Sequence, residues 1–136
     1  MTIKIGDSTS RDFSVDAASM KLFQTLSGDA SRIHCDEYYA RSRGYEGVIV
    51  YGGIMLAHLS NVLGMHLPGT HGISTSWSVN YRRPLYMGDN AKIRLEVTNV
   101  SSSTGVIEAA FRITVGERLI ASGRTQSIVP LSDVCG

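Results

Sequence analysis

The chain has 136 residues, a length that fits one domain, residues 1–136, with enough material to bury a core without disulfide or metal staples. Hydrophobic residues make up 43% and charged residues 18%, a globular balance that excludes intrinsic disorder. A formal net charge of +1 gives no footing for binding nucleic acid or a membrane surface, so neither is expected as a partner.

The first residues, MTIKIGDSTSRDF, contain no apolar run of the signal-peptide kind. The longest apolar stretch, residues 54–67, is broken by His58, Ser60, Asn61 and His66 and is too short to span a bilayer. Cys35 and Cys135 lie far apart and match neither a disulfide framework nor a metal spacing. A cytoplasmic location is the expectation.

In chain order, the first half reads as mostly helical. Asp16 is placed to cap a helix with Ser19, Leu22, Phe23 and Leu26 on one face, and Gly28 stops it. Residues 29–33 read as a short loop. A second short helix starts at Asp36 and Glu37 and ends at Gly44. Val48, Ile49 and Val50 form a brief extended segment. A helix over residues 52–66, closed by Pro68-Gly69, is apolar nearly all round and needs other structure wrapped about it.

The second half alternates as strands do. Ile73, Thr75, Trp77, Val79 and Tyr81 share one face of the first segment. Ala91, Ile93, Leu95 and Val97 share a face of the next, and Ala109, Phe111, Ile113 and Val115 of the third. A last strand covers residues 119–129, and Gly116-Glu117 suits a tight hairpin turn. The pattern predicts an α+β fold: short helices, one buried helix, then an antiparallel meander.

Chemistry concentrates in Leu26-Ser27-Gly28-Asp29-Ala30-Ser31-Arg32-Ile33-His34. A carboxylate and an imidazole on a loop between helices can converge, hold one water and shuttle its protons near neutral pH. By spacing alone, Asp29 could equally cap the following turn and His34 could pair with Asp36 or Glu37 at the surface. Cys35 beside His34 has no second ligand pair for a metal, and adjacent side chains point apart, so neither a thiol nucleophile nor a metal site is expected. His58, His66 and His71 read as packing or surface residues.

The same stretch resembles the hydratase motif of the MaoC-like family, S-G-D-x-N-P-[ILV]-H. The likeness continues in Tyr39-Ala40-Arg41, Gly44-Tyr45, residues 50–57, Leu63-Gly64 and Leu67-Pro68-Gly69. It runs on through Tyr81-Arg82-Arg83-Pro84-Leu85 and Gly88-Asp89, which match an aromatic-x-x-Pro…Gly-Asp segment, to Ala121-Ser122-Gly123. The resemblance implies a hot-dog fold, an antiparallel curved sheet wrapped around a central buried helix. It implies reversible hydration of trans-2-enoyl thioesters, on coenzyme A or acyl carrier protein, to (R)-3-hydroxyacyl thioesters. Asp29 and His34 would be the acid–base pair, Gly52 the backbone oxyanion donor and Ser60 an orienting group. Tyr51, Gly53, Arg32, Arg82 and Arg83 would meet the substrate, the arginines through phosphate oxygens. No metal or redox cofactor is implied, and the thiol carrier is part of the substrate. A homodimer or higher homo-oligomer is expected by analogy of fold. Two departures stand out: Ser31-Arg32 replaces the family's Asn-Pro, and Tyr51 replaces its His before the helical Gly. A thioesterase and a non-catalytic acyl-thioester-binding subunit are the rival readings.

Overall fold

The computed structural model describes residues 2–134. Cys135 lies outside the described residues. The elements are β1 (Ser8–Phe13), α1 (Ala17–Ser27), α2 (Arg32–Cys35), α3 (Glu37–Ser42), α4 (Gly52–Met65), β2 (Ile73–Tyr81), β3 (Ala91–Val100), β4 (Val106–Val115) and β5 (Arg118–Ile128). One five-stranded antiparallel sheet runs in the order β1-β3-β4-β5-β2.

The alternating segments fold as their pattern demands. Ala91, Ile93, Leu95 and Val97 of β3 are buried, as are Ile107, Ala109, Phe111 and Ile113 of β4. Lys92, Arg94 and Glu96 point outward. The buried face meets one side of α4, formed by Ile54, Met55, Leu59, Val62 and Leu63. Each fully buried Leu or Ile contributes about 1.5–3 kcal/mol relative to an exposed one. Gly116, at φ 59, supplies the positive φ of the two-residue turn that sets Val115 opposite Arg118. The result is the hot-dog arrangement, a curved sheet holding a helix in its concave side.

Five expectations need correction. The N-terminal segment is a strand: Ser-Thr-Ser-Arg-Asp-Phe carries too few apolar residues to show alternation, and as an edge strand on β3 it needs few. The strands are not a simple meander, since β2 crosses to the far edge and pairs with β5. Its Ile73, Trp77 and Tyr81 are exposed in the single chain, so its alternation does not mark a face buried within the chain. On α1 the inward residues are Met20 and Phe23, whereas Leu22 and Leu26 face out. A helix with apolar residues on adjoining stripes leaves its rotation to tertiary packing. The helix α4 is likewise covered by the sheet and by α1 but not all round, with Ala57, Ser60 and Met65 exposed.

Candidate active site

The loop after α1 is built by short-range hydrogen bonds. Gly28 adopts φ 73 and its N–H returns to Gln24 O at 2.8 Å, closing the helix. The Asp29 N–H donates to Ser27 Oγ at 3.1 Å. Asp29 Oδ1 then accepts the Ser31 N–H at 2.9 Å and the Ser31 hydroxyl. The hydroxyl, then the amide, hold the Asp29 carboxyl below its ordinary value, with a smaller contribution from the nearby His34. Asp29 is therefore a carboxylate at neutral pH.

His34 sits on the single turn of α2, not on the surface partnership with Asp36 or Glu37 that spacing allowed. Asp36 caps α3 through the Tyr39 N–H at 2.9 Å and pairs with Arg32 at 3.1 Å, and Glu37 pairs with Arg41. His34 Nδ1 lies 2.6 Å from Ile49 O. A carbonyl only accepts, so Nδ1 carries the proton and Nε2 of the neutral ring offers a lone pair. The Ile49 N–H answers with a bond to Ile33 O at 3.0 Å, and the Val50 N–H bonds Leu85 O at 2.8 Å, which fixes the segment leading into α4.

Tyr51 ties these parts together. Its hydroxyl donates to Asp29 O at 2.5 Å, and the Cys35 thiol lies 3.4 Å from the same hydroxyl. Its ring stacks on His34 with centroids 4.2 Å apart and tilts against Phe23 at 4.7 Å. Burial, then the Cys35 contact, push the phenol up to about 12, so it remains a donor throughout the neutral range.

A cleft of about 370 Å³ opens beside this assembly, lined by His34, Tyr45, Gly52, Met55, Tyr81, Arg82 and Arg83 among others. Gly52 opens α4, where the first amides have no intrahelical acceptor and the N-cap Tyr51 supplies none from its side chain. Such amides, with the positive end of the helix dipole, suit a developing oxyanion. The cleft can therefore hold a polarised carbonyl at one end and a base at the other.

Of the residues singled out in the sequence, His34, Gly52, Arg82 and Arg83 share this cleft. Arg83 is held through Nη1 to Leu119 O at 3.0 Å. Asp29 is not among the lining residues, though it is near enough for His34 to lower its pKa slightly. Tyr51 is buried, at 2% exposure, and braces the loop instead of lining the cleft. Gly53 faces Phe23, whose Cζ would be 2.3 Å from a Cβ there. Arg32 is engaged with Asp36 and lies over the Tyr39 ring at 4.5 Å. Ser60 is two turns on from Gly52, about 12 Å along the axis, and lines a separate small cleft with Leu63, Gly64 and Trp77. Sequence reasoning passed over Tyr45, Met55 and Tyr81 as lining residues. The signal for Tyr81 was the Gly-Gly opening of α4, which implies that some bulky group approaches its backbone closely.

A hot-dog fold whose cleft joins an imidazole to the amide end of a helix, with an ionised carboxylate on the adjoining loop, marks a class of small proteins equipped for acid–base work. Within it, the chain belongs to the MaoC-like family: the model of the MaoC like domain matches residues 3–117. It is 27% identical over 130 residues to an (R)-specific enoyl-CoA hydratase of Aeromonas caviae, covering 95% of this chain and 97% of that one. A second (R)-specific enoyl-CoA hydratase, of Rhodospirillum rubrum, is 27% identical, with 94% and 89% covered. The solved (R)-hydratase from A. caviae involved in PHA biosynthesis superposes with a TM-score of 0.89, covering 94% of this chain and 98% of that chain at 27% identity. Hydratases and dehydratases of this kind are lyases.

Proposed function

We propose that the chain is a hydro-lyase that reversibly hydrates trans-2-enoyl thioesters to (R)-3-hydroxyacyl thioesters, carried on coenzyme A or acyl carrier protein. The observation that carries the reading is the Nδ1–H of His34 committed to Ile49 O, which leaves Nε2 as a base in the cleft that also holds the Gly52 amide. One water bound at His34 Nε2 gives hydroxide to the β-carbon and its proton to Nε2. The electron pair of the double bond moves toward the thioester oxygen, held by the Gly52 N–H. The imidazolium then returns the proton to the α-carbon. Asp29, kept ionised by Ser31, stabilises that imidazolium and is not itself the proton source. The (R) outcome rests on the names of the relatives.

Arg82 and Arg83, both lining the cleft, are the candidates for a carrier phosphate. Tyr51 and Gly53 serve by bracing the site; Ser60 lines a separate small cleft and takes no part in the step as written. The reaction as written uses water and thioester, with no metal or redox cofactor. The protein works as a homodimer in the cytoplasm in this reading. Among the described residues no helix is long and apolar enough to cross a membrane.

Loss of enoyl-thioester absorbance with crotonyl-CoA tests the proposal. Asp29→Asn and His34→Ala should each lower kcat by at least ~100-fold. No turnover of crotonyl-, hexenoyl- or carrier-protein substrates, or release of free thiol in place of hydration, overturns it.

A further inference from the structure

Tyr81 ends β2 at the sheet edge, opposite Ala121. Its phenol reaches over that edge onto the start of α4. A Cβ at position 52 would stand 2.7 Å from both Tyr81 Cζ and Tyr81 Oη, so any other residue there would displace the phenol. The bare Cα of Gly52 therefore admits a phenol beside an amide that its position at the helix start leaves free. Both groups line the cleft that holds His34. Among the described residues the Tyr81 hydroxyl has no hydrogen-bond partner, and burial raises its pKa, so its proton is retained and uncommitted. Tyr81 is 49% exposed, so water can serve its hydroxyl in the free protein and a substrate oxygen can take that water's place.

We propose that the Tyr81 hydroxyl is a catalytic group, a second donor to the thioester carbonyl oxygen alongside the Gly52 N–H. This rests on the hydratase reading above. A carbonyl oxygen has two lone pairs, and a helix amide satisfies one. A phenol pressed against the same glycine can reach the other, and both bonds strengthen as charge moves onto oxygen in the enolate-like transition state. The alternative, a ring that only covers Gly52 and turns its hydroxyl to water, predicts no effect of removing that oxygen.

Tyr81→Phe separates the two, because it keeps the ring against Gly52 and deletes the donor. We expect kcat for crotonyl-CoA hydration to fall about 10- to 100-fold, with KM changed less than about threefold. The carbonyl stretch of bound 2,4-hexadienoyl-CoA, read by Raman difference spectroscopy, should sit below its value in water for the parent protein. In the variant it should move back toward that value. A kcat within about twofold of the parent, or an unchanged carbonyl frequency with reduced kcat, overturns the donor role. If the parent protein binds hexadienoyl-CoA with a lowered carbonyl frequency that the variant loses, yet crotonyl-CoA is not hydrated, the hydratase reading fails and the donor assignment stands. If the parent protein leaves the carbonyl frequency at its solution value, the assignment falls whatever the rate.

Discussion

The hydroxyl of Tyr51 reaches the main-chain carbonyl of Asp29 while its ring lies against the imidazole of His34. A single side chain thus registers both halves of the proposed acid–base pair. This supplies the stiffness that a proline in the loop would give in the family's motif. Ser31 supplies the rest, since its amide and hydroxyl fix the Asp29 carboxylate directly. Tyr51→Phe keeps the stack and removes one partly buried hydrogen bond. The expected cost is about 1 kcal/mol, a fall in Tm of roughly 4 °C. If the bond also sets the loop, kcat should drop about 10-fold or more with KM nearly constant, since small misplacements of reacting groups are costly. A lowered Tm with an unchanged rate would make the bond structural alone. Because the Tyr51 phenol is pushed up to about 12, its proton is held well above neutral pH and this contact does not titrate in an ordinary assay.

At the scale of elements, β1 is joined to α4 through a small polar-aromatic contact. His58 stacks on Phe13 at 4.1 Å, and Arg11 Nε donates to His58 Nδ1 at 3.3 Å. Burial first, and the Arg11 charge second, lower the His58 pKa below its ordinary 6.5. The folded state therefore favours neutral imidazole. The stability this contributes is fully present above pH 6.5 and is lost as pH falls through the lower folded value. His58→Gln keeps an acceptor for Arg11 but does not titrate. Its Tm should decline less steeply than that of the parent protein between pH 7 and pH 5, and parallel slopes would remove His58 from the account. This contact also shows where the sequence stops being legible. The strands β3 to β5 could be read because alternation follows from one buried face, and the family could be read because its motifs occur in order around Asp29 and His34, whose pairing is part of the proposed function. The strand β1 could not, since Ser8, Thr9, Ser10, Arg11 and Asp12 carry no apolar period and gain their place by pairing with β3. The Gly-Gly opening of α4 signalled a close neighbour but not that it is Tyr81, because that contact depends on β2 lying at the edge beside α4. Local pattern does not encode which strand a strand will join.

At the scale of the whole molecule, one side remains uncovered. On it lie the exposed stripe of α4, with Ala57 and Ser60, and the β2 edge, with Trp77 and the 70%-exposed Ile73. Ser60, Gly64 and Trp77 meet in one cleft, so stripe and edge form a continuous surface. An apolar strand with unpaired backbone along a free edge invites pairing with another edge. A second copy offers an identical edge, and a two-fold axis there would extend the two sheets into one while covering both helices. Trp77 is the only tryptophan in the chain, so its emission reports this face without labelling. The expected results are a dimer mass by light scattering at micromolar concentration and a red shift of Trp77 emission on dilution. Ile73→Lys places a charge where the isolated chain is already open, so monomer stability should change by no more than about 0.5 kcal/mol. If the edge is the interface, the same charge must be desolvated there, and dimer dissociation should become at least about tenfold easier. A monomer at micromolar concentration with dilution-independent emission would mean that this apolar side is left to solvent, and the paired-edge assembly would have to be abandoned.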